Sequence, residues 1–185
     1  MKVKLGARNL LSPMQTILVG AAVAGKPNYM TIAWLGIPEF MYVSISVGRE
    51  RYSHRGIVEN KTFSINIPSK KMLALTDYCG CVSGKKVDKA SLFTNFSGKL
   101  GTAPMIEECP IIMKCALAHA LEIPPTHDVF IGKNVETYCD EEYVKDGTLD
   151  FTTLDPILYV MSEGSYWKMG ARVARIGSAY KSLEK

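Results

Sequence analysis

The sequence predicts a chain dominated by β-structure, an antiparallel barrel with a few short helices and one long excursion. Three observations carry that prediction. Residues 41–48 read MYVSISVG, so Tyr42, Ser44 and Ser46 alternate with Val43, Ile45 and Val47. That two-residue period belongs to a strand with one apolar face. Residues 111–123 and 127–138 are two long strand-like runs joined by Pro124-Pro125-Thr126, a sequence that a strand interior does not tolerate. The helical stretches, finally, are short and do not alternate regularly with strands, which argues against a doubly wound α/β sheet.

Taken in order, residues 14–24 read as a strand ending in small residues, and Gly25-Lys26-Pro27-Asn28 as a turn. Residues 29–36 form a second strand and 41–48 a third. Ser53 is placed to cap a short helix running to Glu59. Residues 62–67 (TFSINI) return to a strand closed by Pro68, and Ser69 opens a further helix that Gly80 is expected to stop. Residues 82–100, rich in Gly, Ser and Lys, form the excursion, with one helical piece near 87–92. The two long strands follow, then short apolar pieces at 156–159 and 166–168.

With 185 residues the chain is expected to build one core and a single domain over residues 1–185. Its longest apolar run, residues 17–23, is too short to span a membrane. No export signal follows Lys2, Lys4 and Arg8, and five cysteines without disulfide or zinc-type spacing fit a reducing, cytoplasmic setting. The net charge of +4 is scattered over both halves, which points away from nucleic acid. A few cations gathered around one anionic cofactor use up the same excess.

Residues 20–26 (GAAVAGK) match the first seven positions of a phosphate-loop motif, yet the eighth is Pro27 where a magnesium-binding Ser or Thr belongs. A strand rather than a long helix follows. The motif is therefore read as a strand entering a tight turn.

What remains is a constellation. Asn28, Met30, Thr31, Ala33 and Trp34 enter a strand with hydrogen-bonding groups beside large flat ones, and Ser46, Val47 and Arg49 close the next strand with a cation. Ser53 and His54 stand at a helix start, where free N–H groups and the helix dipole favour phosphate. Asn66 ends the strand after that helix. From the residues alone this is an anion-binding β-domain, in which the default reading of Trp34 is core, of Ser53 a cap and of Arg49 a solvated charge. His54 reads equally as a solvated side chain, and His127-Asp128 as a turn cap.

Residues 25–34 (GKPNYMTIAW) and 43–69 (VSISVGRERYSHRGIVENKTFSINIPS) resemble the flavoredoxin branch of the flavin reductase-like family. So do residues 77–90 (DYCGCVSGKKVDKA), 104–111 (PMIEECPI) and 126–142 (THDVFIGKNVETYCDEE). The resemblance implies a split β-barrel, usually a homodimer, with FMN near the subunit interface. It implies that Asn28, Met30, Thr31, Ala33 and Trp34 lie along the flavin ring and ribityl chain. Ser46, Val47, Arg49, Ser53 and His54 would reach the ring edge and phosphate, with Asn66 and Ile67 as a further ring contact. Cys79, Ser83 and Lys86 would close over the cofactor, Lys86 as a phosphate partner, and Trp167 would lie near the same cavity.

On that reading no side chain need act as nucleophile or general base, because the flavin carries the chemistry. The expected function is electron transfer from NADH, NADPH or a redox protein through FMN to free flavin, ferric iron or a partner protein. Arg49 or a backbone N–H would stabilise reduced flavin. A non-enzymatic FMN- or haem-binding module, or an electron carrier, is the competing reading. No GxGxxG loop is present, so a nicotinamide would bind transiently. Cys79, close to the proposed site, keeps a thiol redox role open.

Overall fold

The computed structural model describes residues 1–179. Strands β1 (Met14–Gln15), β2 (Ile17–Val23), β3 (Lys26–Ile32), β4 (Leu35–Glu39) and β5 (Tyr42–Gly48) precede helix α1 (Tyr52–Asn60). Strand β6 (Thr62–Ile67) leads to helix α2 (Leu73–Cys81), and the excursion holds β7 (Asn95–Phe96) and β8 (Met105–Ile106). The long hairpin is β9 (Ile111–Ile123) with β10 (His127–Cys139). Then come β11 (Val144–Lys145), β12 (Thr148–Leu149), α3 (Phe151–Leu154), β13 (Ile157–Val160) and β14 (Ser165–Lys168). Among the described residues no helix is long and apolar enough to cross a membrane.

Seven strands form one antiparallel sheet in the order β3-β2-β6-β9-β10-β5-β4. The sheet curls so that alternate residues from six of them meet in one core: Ile17 and Val19, Met30, Ile45, Ile65, Ile111 and Phe130. In β5 the valines and isoleucine are buried while the intervening Tyr42, Ser44 and Ser46 are half-exposed, as the period requires. Strand β2 is buried along its whole length. Its other face, through Leu18, joins Tyr29, Met72, Phe93, Met105 and Ile112 in a second core beneath α2 and the excursion. A strand covered on both faces reads as a continuous apolar run, which is what ILVGAAV is.

Three local expectations shift. The β2–β3 turn is Ala24-Gly25, both at positive φ (50° and 76°), a two-residue hairpin loop whose twist matches the flanking strands. Lys26 and Pro27 already belong to β3, an edge strand where a residue without N–H is tolerated. Ser53 does not cap α1: the cap position is Arg51, in extended conformation, and Ser53 lies buried inside the first turn. Gly80 does not stop α2 but sits within it, because a Cβ there would lie 3.3 Å from Cβ of Thr31 on β3.

The excursion is pinned to the barrel at two points. A Cβ on Gly20 would lie 2.2 Å from the Pro104 carbonyl oxygen, so only glycine lets the excursion pass this close to β2. One strand over, Asn66 accepts from the Ile106 N–H (2.9 Å) and donates to the Leu18 carbonyl (3.0 Å) and Ser64 Oγ (2.9 Å).

Candidate functional site

A groove runs along β3 between the end of β5, the start of α1 and the segment following α2. Its first hollow, about 220 Å³, is lined by Asn28, Met30, Arg51, Ser53, Cys79 and Lys89 among others. Its charged residues are Glu50, Arg51 and Lys89, and the first two pair with each other at 3.5 Å. Lys89 is buried, and its ammonium donates to the Cys79 carbonyl at 2.7 Å. No carboxylate pairs with it among the described residues. Burial holds its titration below the ordinary lysine range against an opposing influence of Cys79, with nearby Arg51 adding a smaller lowering effect. A buried cation without a counter-charge is a standing demand for an anion.

The start of α1 faces the same hollow. The His54 amide donates to the Arg51 carbonyl (3.0 Å), whereas the Tyr52 and Ser53 amides have no intramolecular acceptor among the described residues. Asn28 Nδ2 donates to Ser53 Oγ at 2.6 Å and fixes the hydroxyl in the wall. Free amides, a helix dipole and a buried ammonium converge as phosphate recognition requires.

The groove continues past Arg51, whose guanidinium reaches the Gly80 carbonyl at 3.4 Å, into a flatter hollow of about 270 Å³. Thr31, Ala33 and Trp34 form one side and Ser46, Val47 and His127 the other. The Ser46 N–H donates to the Trp34 carbonyl (2.9 Å) and ties the two sides together. Thr31 Oγ1 donates to the Thr76 carbonyl and anchors this stretch of β3 to α2. Trp34, 42% exposed, lies against the His127 ring with centroids 5.0 Å apart. Tyr159 closes the hollow and leads into a neighbouring one of about 330 Å³. There Asp77 accepts from the Tyr166 hydroxyl at 3.0 Å. Open apolar and aromatic surface beside backbone amides suits a planar heterocycle.

The structure thus brings Asn28, Met30, Thr31, Ala33, Trp34, Ser46, Val47, Ser53, Cys79 and Ser83 onto one groove. Lys86 lines the space just beyond it. Five expected residues are placed elsewhere. Arg49 pairs with Asp128 (2.8 Å) and Glu122 (3.3 Å), so the cation on the groove wall is Arg51. His54 is held by the same Asp128 at 2.7 Å and packs on Phe130. Asn66 is a buried bolt between β2, β6 and the excursion, and Ile67 is core beside Ile111. Trp167 lines a separate apolar hollow with Leu73 and Ile157, joined to the groove only through Tyr166.

Burial pushes the Cys79 thiol up to about 11, more than nearby Lys89 lowers it, so it is a protonated, inert wall residue at neutral pH. Lys89, Arg51, Tyr52, Gly84 and His127 carry weight that sequence reasoning missed. Three lysines within GKKVDKA look alike on paper, and the only hint was that Lys89 opens the one helical piece of the excursion. His127 was legible as a turn residue, and its ring nitrogen does meet Thr126 Oγ1 at 2.8 Å, but its stacking on Trp34 joins residues far apart in sequence.

A curled antiparallel sheet with a phosphate-ready helix start and an adjoining flat hollow defines a class of small flavin-type domains, and comparison agrees. The flavin reductase like domain family matches residues 10–166, so this chain belongs to the flavin reductase-like family. It is similar throughout its length to the flavoredoxin of Methanosarcina acetivorans, with 38% identity and a TM-score of 0.94 over 99% of both chains. The flavoredoxin of Desulfovibrio vulgaris (Miyazaki F) shows 34% identity and a TM-score of 0.88, covering 97% of this chain and 99% of that one. A Thermus thermophilus FMN-binding protein, 20% identical with a TM-score of 0.81 over 95% and 99% of the chains, shares the fold. Among curated relatives, an uncharacterized protein of Aeropyrum pernix is 25% identical over 82% of this chain, which spans 59% of that protein's length.

Proposed function

We propose that this protein binds FMN in the β3 groove and passes electrons through it. The observation that carries the reading is Lys89: a buried ammonium with a single carbonyl partner, lining the same hollow as Tyr52 and Ser53, whose amides are free. That set fits a phosphate monoester dianion. The adjoining hollow between Thr31–Trp34 and Ser46–Gly48 suits a flat ring, and the relatives with high identity over the full length are flavoredoxins.

FMN, when bound, supplies the hydride and one-electron chemistry itself. The chain's own residues place it and tune it. Lys89 and the α1 amides hold the phosphate, Asn28 orients Ser53 beside it, and Arg51 offers a positive charge between phosphate and ring. Trp34 and His127 cover the ring end and exclude water. Arg51, paired with Glu50 yet lining the groove, here takes the charge-stabilising part that Arg49, drawn to Asp128 and Glu122 outside that lining, does not.

The exposed apolar side chains Ile37, Phe40 and Met41 on and after the edge strand β4 support a homodimer, in which a second copy covers that edge. The electron donor is a reduced nicotinamide or a redox protein. Purified protein titrated with FMN should quench its fluorescence and give a shifted flavin band. Anaerobic bleaching by NADH or NADPH supports a reductase, and bleaching only by dithionite or a protein donor supports a carrier. A chain that binds no FMN refutes both.

A further inference from the structure

Past Tyr159 the ring hollow opens into the neighbouring one of about 330 Å³, and the two share Thr31, Ile32, Ala33 and Tyr159. Two walls of this second space are aromatic. Tyr159 on β13 and Tyr166 on β14 are cross-strand partners, both half-buried, with ring centroids 5.8 Å apart. Among the described residues the one charged side chain that lines it is Asp77, in a protein of net charge +4.

Asp77 stands in no ion pair among the described residues. Its Oδ1 accepts from the Tyr166 hydroxyl at 3.0 Å and from Cys81 Sγ at 3.8 Å, which leaves Oδ2 without a protein donor. Burial first, and then Asp77, push the Tyr166 hydroxyl above the ordinary tyrosine range, so it stays a neutral donor. The cations of the adjoining hollows, Arg51, Lys70 and Lys168, do not line this one. Arg51 and Lys70 already have carboxylates, Glu50 at 3.5 Å and Asp155 at 3.9 Å. A tyrosine face is electron-rich, so two such rings beside a carboxylate attract a positive charge and repel a negative one.

We propose that this hollow takes a second substrate, a flat organic cation such as an N-alkylated heteroaromatic, which rests against Tyr159 and Tyr166, pairs with Asp77 and is reduced beside the flavin ring. The proposal rests on the FMN reading above and adds the chemical class of an acceptor. The cation takes up a hydride, two electrons and a proton, from reduced FMN: the N5–H bond breaks, a C–H bond forms on the heterocycle, and FMN is left oxidised. The product is neutral, so Asp77 no longer holds it and the hollow empties.

The test uses FMN-loaded protein, wild type and Asp77→Asn. Asparagine still offers Oδ1 to the Tyr166 hydroxyl, so the change removes the charge and keeps the wall. Equilibrium dialysis of the oxidised protein compares N-methylacridinium with acridine-9-carboxylate, one flat ring system as a cation and as an anion. The wild type should bind the cation about tenfold more tightly than the anion. In Asp77→Asn the cation should weaken by about fivefold, as one ion pair in a partly open site allows, while the anion does not weaken. With FMN reduced anaerobically by one equivalent of dithionite, N-methylacridinium below its Kd should become the dihydroacridine about fivefold faster with the wild type than with the variant. Equal binding of cation and anion by the wild type overturns the proposal and leaves the FMN reading standing. So does a variant that weakens both or neither, and so does a cation that binds without being reduced. If the wild type cannot be loaded with FMN, both readings fall together.

Discussion

Replacing Lys89 by methionine keeps an unbranched stem in the wall and removes the charge. In the wild type the ammonium is buried, bonded at 2.7 Å to the Cys79 carbonyl, and partnered by no carboxylate among the described residues. A hydrogen bond from such a group to a phosphate is worth about 1.5–3 kcal/mol. Lys89→Met should therefore raise the Kd for FMN by about 10- to 150-fold. Stability of the protein without ligand should move the other way or hardly at all. The Cys79 carbonyl loses a donor, a cost of about 1 kcal/mol, while an unpaired buried charge is relieved. The pH dependence has a definite sign. Because the folded-state titration of Lys89 lies below the ordinary lysine range, the unfolded chain binds more protons between the two values. Stability without ligand should rise with pH across that window as FMN affinity falls, and Lys89→Met should abolish both trends. Fluorescence titration and thermal unfolding at several pH values read these quantities. An FMN affinity within threefold of wild type would refute the assignment, and so would a ligand-free protein destabilised in proportion to the lost affinity.

Three further expectations follow from the geometry. Asn66→Ala should cost about 2–5 kcal/mol in denaturant unfolding, because the Leu18 carbonyl and Ile106 N–H lose their partner in the core; the folded fraction should bind FMN as before, and a selective loss of binding would return Asn66 to the site. Asp128 has its carboxyl raised by burial but carried below the usual range overall by hydrogen bonds from His54 and Arg49. Its stabilisation is therefore present at neutral pH and lost as pH falls through that lowered value, so the melting-temperature gap between wild type and Asp128→Asn should close below about pH 4, and a constant gap would show that the charge is irrelevant. Thiol titration of native protein at pH 7 should modify exposed Cys81 and spare buried Cys79, Cys109 and Cys115, whose thiols burial pushes upward; prompt labelling of Cys79 would reopen a redox role for it.

Much of the architecture was legible because it is written at short range. The alternation in β5, the run TFSINI and the proline-joined hairpin of β9 and β10 each declare themselves within a dozen residues. The errors were local and physical. Lys26 and Pro27 looked like turn residues, but the positive φ values fall on Ala24 and Gly25, and an edge strand accepts the proline. Gly80 looked like a helix stop and serves instead as a close contact with Thr31.

The charged residues of the groove were harder. Within Arg49-Glu50-Arg51 the two arginines are equivalent on paper, and the difference between them is Asp128, 79 positions from Arg49 and brought beside it by the pairing of β5 with β10. Lys86 and Lys89 differ in the same way, since only the chain's return over Cys79 buries one of them. Periodicity and turn chemistry act between neighbours, so the sequence by itself determined a β-rich chain and led us to expect an anion site near the start of α1. Whether a given cation is drawn to a distant carboxylate or stays on the groove wall depends on partners that folding brings together, and only the tertiary structure decided that.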